Sequence, residues 1–230
     1  MTPQLRSVHL PFLGFTLPTP WKADVTDDAG TAAVTMSSGG YCRLSLDNTA
    51  EVQVARLSMG DVLPFDIDQL VSVEWWARVS ASLAAACSLS MGVGSAGNAT
   101  VTSITARSMF RMTGGGLLTL DCVDGTNSQT GITTGLAMAT SDWQRFKLNF
   151  KQGTITQGPP ANNLGGVGGK AAILFGADDS RGNLRHLAPR TQMSMAAYSS
   201  NLQAYFQLQK SANAATATLD IRDVMVEYRL

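Results

Sequence analysis

Apolar residues recur at every second position along much of this chain. Val71, Val73, Trp75, Ala77 and Val79 alternate with Ser72, Glu74, Trp76 and Arg78. Phe146, Leu148 and Phe150 alternate with Arg145, Lys147, Asn149 and Lys151. A period of two marks a strand with one buried face, because successive side chains point to opposite sides. Residues 215–230 begin the same way, with Ala217, Leu219 and Ile221. The parity then slips by one, and Val224, Val226, Tyr228 and Leu230 continue it. One slip inside a strong alternation predicts a β-bulge, here at Arg222-Asp223.

The same pattern predicts strands over residues 41–46, 51–59, 85–93, 104–112, 118–122, 133–139, 171–175, 193–195 and 202–208. Turn signals separate them at Asp47-Asn48, Gly60-Asp61, Gly114-Gly115-Gly116 and Asp124-Gly125. The alanines at 81 and 84–86 also suit a short helix, but the period favours a strand. Residues 151–170 and 178–189 read as loops. Roughly ten or more short strands without an amphipathic helix predict an all-β, jelly-roll-type antiparallel β-sandwich over residues 41–230.

Residues 1–40 follow a different rule. Pro3, Pro11, Pro18 and Pro20 forbid helix interiors and central strands. Among and just after them stand Leu10, Phe12, Leu13, Phe15 and Trp21, too apolar for simple disorder. The expectation is an extended N-terminal arm that docks these five side chains on its own domain or across a neighbouring subunit.

Composition narrows the function classes. Only 15% of the 230 residues are charged, and 17 basic side chains cancel 17 acidic ones. No basic stripe marks a nucleic-acid partner. No apolar run reaches the length that spans a bilayer, and the proline-broken start is not the continuous apolar core of a signal peptide. The three cysteines, Cys42, Cys87 and Cys122, lie in strand-like segments without CxxC spacing and read as buried free thiols, as expected of folding in a reducing cytoplasm.

Candidate chemistry is sparse. Gly92-Val93-Gly94-Ser95-Ala96-Gly97 matches GxGxxG, but strand-like Thr100-Val101-Thr102 follows where a dinucleotide site needs a helix start, so it reads as a turn. Gly169-Lys170 lacks the rest of a phosphate loop. His9 and His186 have no partner at metal-ligand spacing. Asp66-x-Asp68 and Asp178-Asp179 could offer loop oxygens to calcium, although turn roles explain them equally. Glu74 and Glu227 are the carboxylates that a glycosidase would use, but a solvated sheet face accounts for both. The expectation is a non-enzymatic protein with no catalytic residue, no cofactor and no metal. Trp76, Trp143 and Tyr205 fall on the nominally polar faces of their strands. Large aromatics there mark an interface or a glycan-stacking surface.

Three segments carry a family resemblance: Trp75-Trp76-x-Arg78-Val79, the run Ser141-Asp142-Trp143-Gln144-Arg145-Phe146, and the closing Leu219-x-Ile221-x-x-Val224-x-Val226. Their order resembles lectin-like and carbohydrate-binding-module-like jelly rolls. With the low charge and the proline-rich start, the chain looks most like virion structural proteins of tailed bacteriophages, including capsid decoration (cement) proteins. That resemblance implies a homo-oligomer, a trimer by shell symmetry, bound to a major capsid protein on the virion surface. The alternative it implies is a lectin-like adhesion module of a phage head or tail fibre, with a surface glycan as partner.

Overall fold

The parity slip in the last strand is where the architecture turns. The computed structural model describes residues 5–62, 64–150, 170, 172–178, 183–187 and 193–229. In chain order its strands are β1 (Leu5–Leu10), β2 (Lys22–Thr26), β3 (Ala33–Ser37), β4 (Tyr41–Leu46), β5 (Glu51–Ser58), β6 (Phe65–Asp66), β7 (Leu70–Val79) and β8 (Cys87–Gly94). They continue as β9 (Ala106–Thr113), β10 (Thr119–Asp124), β11 (Ser128–Thr133), β12 (Gln144–Asn149), β13 (Leu174–Asp178), β14 (Leu184–Leu187), β15 (Asn201–Asn213) and β16 (Ala217–Arg229). Sheet 1 runs β14-β13-β12-β7-β16-β4-β3, with β1 also pairing β16. Sheet 2 runs β11-β10-β9-β8-β15-β5-β2, with β6 pairing β15. Every ladder between these strands is antiparallel. The protein is an all-β, two-sheet sandwich of jelly-roll type.

The bulge lies where the alternation placed it. Arg222 faces Trp76 and Met225 faces Glu74, so three intervals on β16 oppose two on β7. Asp223, inside the bulge, has φ 51°. The extra residue keeps Leu219 and Ile221 on the core side before it and Val224 and Val226 there after it. It also divides the opposite edge of β16, where residues 217–221 pair β4 and residues 224–229 pair β1.

The stretch read as an arm is extended, and its backbone lies in both sheets of this chain. β1 pairs β16, β2 pairs β5 and β3 pairs β4. Pro11, Pro18 and Pro20 fall in the connection between β1 and β2, where no ladder needs their missing N–H. The turn between β2 and β3 is clamped from β5. Glu51 accepts from the backbone N–H groups of Asp28, Ala29 and Gly30, at 3.2, 2.9 and 2.8 Å, and Asp47 accepts from Thr31.

Between the sheets lies one aromatic cluster. Trp75 of sheet 1 stacks on Phe146 at 5.8 Å and meets Phe110 and Phe206 of sheet 2 edge-on at 6.0 and 5.7 Å. Phe12 and Trp21 extend it, 5.2 Å apart, with Trp21 6.0 Å from Phe206. Cys42, Cys87 and Cys122 are buried free thiols, and burial pushes Cys42 and Cys122 up to about 12.

Three strand expectations differ. Residues 134–139 are not a strand; β11 precedes them, and Thr134 and Leu136 instead exchange backbone hydrogen bonds with Leu118. Met193 and Met195 are buried but lie outside strands. Residues 184–187, read as loop, form edge strand β14.

Candidate functional site

The three aromatics singled out from the sequence do not converge. Trp76 and Trp143 lie on the outer face of sheet 1, and Tyr205 on the outer face of sheet 2, on the opposite side of the molecule. Trp76 is half-buried, with Arg145 and Arg222 as its cross-strand neighbours. Trp143 is half-buried too. The guanidinium carbons of Arg78 and Arg222 sit 4.5 and 4.3 Å from its ring centroid, and Tyr41 meets its edge at 5.7 Å. Asp220 fixes this cluster by accepting from Arg43 Nε at 2.7 Å and Arg78 Nε at 3.0 Å. Arginine thus holds ring surface that a sugar would need for stacking.

Tyr205 is not a platform. It is fully buried, in a small cluster with Val101, Ile104 and Met109. The 95–105 loop, which includes a single 3-10 turn at Val101–Ser103, lies over it. Tyr205 Oη donates to the carbonyl of Asn98 at 2.6 Å, with Gln207 Oε1 beside it. Burial, only partly offset by nearby Arg56, raises the phenol above its ordinary range. Its ladder neighbour Gly92 (φ 155°) has no room for a side chain, since a Cβ there would stand 2.2 Å from Ser108 O. The GxGxxG stretch therefore closes β8 and starts this loop, and only the single 3-10 turn follows it, not an α-helix.

Beside the loop, on the outer face of sheet 2, is a cleft of about 410 Å³. Val52 and Val54 of β5 form an apolar wall, and residues 99–102 form the facing one. Arg111 of β9 and Gln209 of β15 contribute polar planes. Both planes are fixed from behind. Arg111 Nη1 donates to Asp121 Oδ2 at 2.9 Å, and Asp121, itself buried, also accepts from Gly131 N at 3.0 Å. Gln207 Nε2 donates to Ala99 O at 2.9 Å and to Gln209 Oε1, which tethers the loop to the floor. The amide nitrogen of Gln209 has no hydrogen-bond partner among the described residues. A second cavity, of about 360 Å³, is lined mainly by apolar groups, among them Val8, Leu10, Pro20 and Phe65.

The remaining expected residues have ordinary structural partners. Phe12 and Trp21 are buried in this chain's own core and Leu10 packs against it, while Leu13 and Phe15 are 69% and 86% exposed. Glu74 is paired with Lys147 at 3.3 Å and Arg145 at 3.8 Å, and Glu227 accepts from Ser72 Oγ at 2.6 Å. Asp66 accepts from Asp68 N at 2.9 Å, and Asp68 pairs with Lys170 Nζ at 2.8 Å. Asp178 accepts from Arg145 N at 3.1 Å. Asp179, Gly169 and the His186 side chain lie outside the described residues. Among the described residues, no three His, Cys, Asp or Glu side chains are grouped to hold a metal ion, and no helix is long and apolar enough to cross a membrane.

Apart from Tyr205, the side chains that build and brace the cleft went unread in the sequence. Gln203, Tyr205, Gln207 and Gln209 are the polar-parity positions of β15, and Arg107 and Arg111 are those of β9. A row of planar amides and guanidiniums at period two was the available signal.

No protein-family model and no curated protein matches the chain. Solved structures do. A Shewanella oneidensis MR-1 protein of unknown function aligns with TM-score 0.62 and 15% identity, over 100% of this chain and 88% of its own. The catalytic domain of an endo-1,3-beta-glucanase (laminarinase) from Thermotoga petrophila aligns with TM-score 0.58 and 10% identity, over 99% and 98%. Lectin UEA-II, solved with galactose, aligns with TM-score 0.57 and 6% identity, over 96% and 98%. At these identities the likeness is one of fold.

Proposed function

We propose that this chain is a non-catalytic, lectin-like carbohydrate-binding domain whose ligand lies in the cleft on the outer face of sheet 2. The observation that carries this reading is the pairing of an apolar wall, Val52 and Val54, with immobilised planar donors, Arg111 and Gln209. A sugar ring presents C–H patches and hydroxyls side by side, and such a cleft offers a partner for each. Because Asp121 and Gln207 hold the donors in place, little rotamer entropy is lost on binding. The volume lies in the range of small-ligand sites. The shared fold of a lectin and a glucanase supports the choice of ligand class. A glycan array followed by calorimetric titration tests it. Binding should weaken about tenfold in Gln209→Ala, in line with one lost hydrogen bond. An array on which the folded protein binds nothing overturns the reading.

A second reading, attachment to a phage capsid as a decoration protein, draws on the exposed Leu13 and Phe15 in the connection between β1 and β2. Exposed apolar groups at a loop tip suit burial against a shell subunit or another copy of the chain. Light scattering and co-sedimentation with shells test it; a monomer that stays in the supernatant sinks it.

A further inference from the structure

We infer that the cleft selects an anionic saccharide, one carrying a ring carboxylate, with Arg111 as its anchor. This rests on the carbohydrate-binding reading above. Two arginines on the outer face of sheet 2 share one carboxylate. Arg111 Nη1 lies 2.9 Å from Asp121 Oδ2, and Arg107 Nε lies 3.6 Å from the same oxygen. Arg107 is buried and spends its Nη1 on Ile104 O at 2.8 Å. Arg111 is the more exposed of the two and lines the cleft; its Nε is buried without a partner among the described residues, so the outer end of the guanidinium is what faces the cleft. One positive charge is therefore left unbalanced at the cleft floor. Among the described residues, no Asp or Glu lines the cleft to compensate it.

The hydrogen-bonding inventory points the same way. Gln209 Oε1 is already taken by Gln207 Nε2, so Gln209 turns its amide donor to the ligand. Arg111 is donor-only. The hydroxyls of Thr100 and Thr102, on the loop wall, adapt to either role. The hydroxyls of a neutral sugar can accept from these two donor planes, but they bring no charge to set against the guanidinium. A uronic acid brings a planar carboxylate that matches a guanidinium edge.

The test compares an oligogalacturonate with its methyl ester, which differ in charge and little else. The acid should bind about ten- to a hundredfold more tightly, as a charge-assisted hydrogen bond in place of a neutral one implies. The preference should shrink as ionic strength rises. It should fall below about threefold in Arg111→Gln and be reduced but not abolished in Arg111→Lys, which keeps the charge and loses the planar edge. Equal affinity for acid and ester overturns the anionic preference and leaves carbohydrate binding standing. Binding of neutral oligosaccharides with rejection of the uronate overturns it as well. Silence toward acidic, esterified and neutral sugars alike overturns both readings.

Discussion

Tyr205→Phe isolates what one buried hydroxyl does for the cleft. The substitution keeps the ring, and with it the packing against Val101, Ile104 and Met109. It removes the hydrogen bond to Asn98 O, 2.6 Å long, which ties the loop to the sheet. Asn98 is exposed, so its carbonyl can turn to water and the loss sits at the ordinary net value of about 1 kcal/mol. That corresponds to roughly fivefold in the loop's opening equilibrium. Hydrogen exchange read by mass spectrometry should show residues 98–104 exchanging about fivefold faster, with β15 unchanged. The melting midpoint should drop by roughly 2 °C for a chain of this size. A second signature is pH. The folded phenol is raised above the unfolded value of about 10, so the stability it contributes is complete below pH 10. That contribution is lost above pH 10, where the unfolded chain ionises first. The wild type should therefore lose about 1.4 kcal/mol per pH unit more than the Phe variant in that range. Unchanged loop exchange in Tyr205→Phe would show that apolar contact alone holds the loop, and the anchoring argument would fail.

Three further outcomes follow from the geometry. Phe12→Ala should cost about 3–5 kcal/mol as a core truncation, whereas Phe15→Ala should stay within about 0.5 kcal/mol; paired thermal melts read the contrast. Burial pushes the Asp124 carboxyl up, but hydrogen bonds from Asn127, Ala197 and Thr126 outweigh it and hold it at about 2. The wild type should then lose about 2 kcal/mol between pH 4 and pH 2, a loss that denaturant titrations of Asp124→Asn should not show. Finally, a disulfide-exchange reagent at pH 8 should leave Cys42 and Cys122 unlabelled in the folded protein and label both on denaturation, because their thiolates are suppressed as well as buried.

What the sequence disclosed depended on distance along the chain. The bulge at Arg222-Asp223 was legible because parity is a local property, and so was the face on which Trp76 and Trp143 stand. Parity also put Tyr205 on the outer face. That the 95–105 loop then folds back over it is a tertiary event that no strand pattern encodes. β11 went unseen because Gln129 and Gly131 on a mostly exposed edge strand carry no apolar alternation. Met193 and Met195 gave the opposite error, since alternate burial there comes from a turn-containing segment packed on the core. Proline marked residues 1–40 as extended, but pairing partners as remote as β16 had to come from the fold. Arg111 and Gln209 were passed over because strands are recognised by the residues they bury, and the cleft is built from those they do not.

The register of β1 on β16 sets Leu5 opposite Arg229. Both ends of the described chain thus leave from neighbouring strands of sheet 1, while the cleft opens from sheet 2, on the reverse side. The two ends and the cleft thus belong to different sheets. A support or fusion partner joined through either terminus would present the cleft outward, unobstructed by the tether. The same adjacency makes the domain a natural cassette: a short linker closing residue 5 to residue 229 and a new opening at an exposed turn would give a circular permutant with both sheets intact.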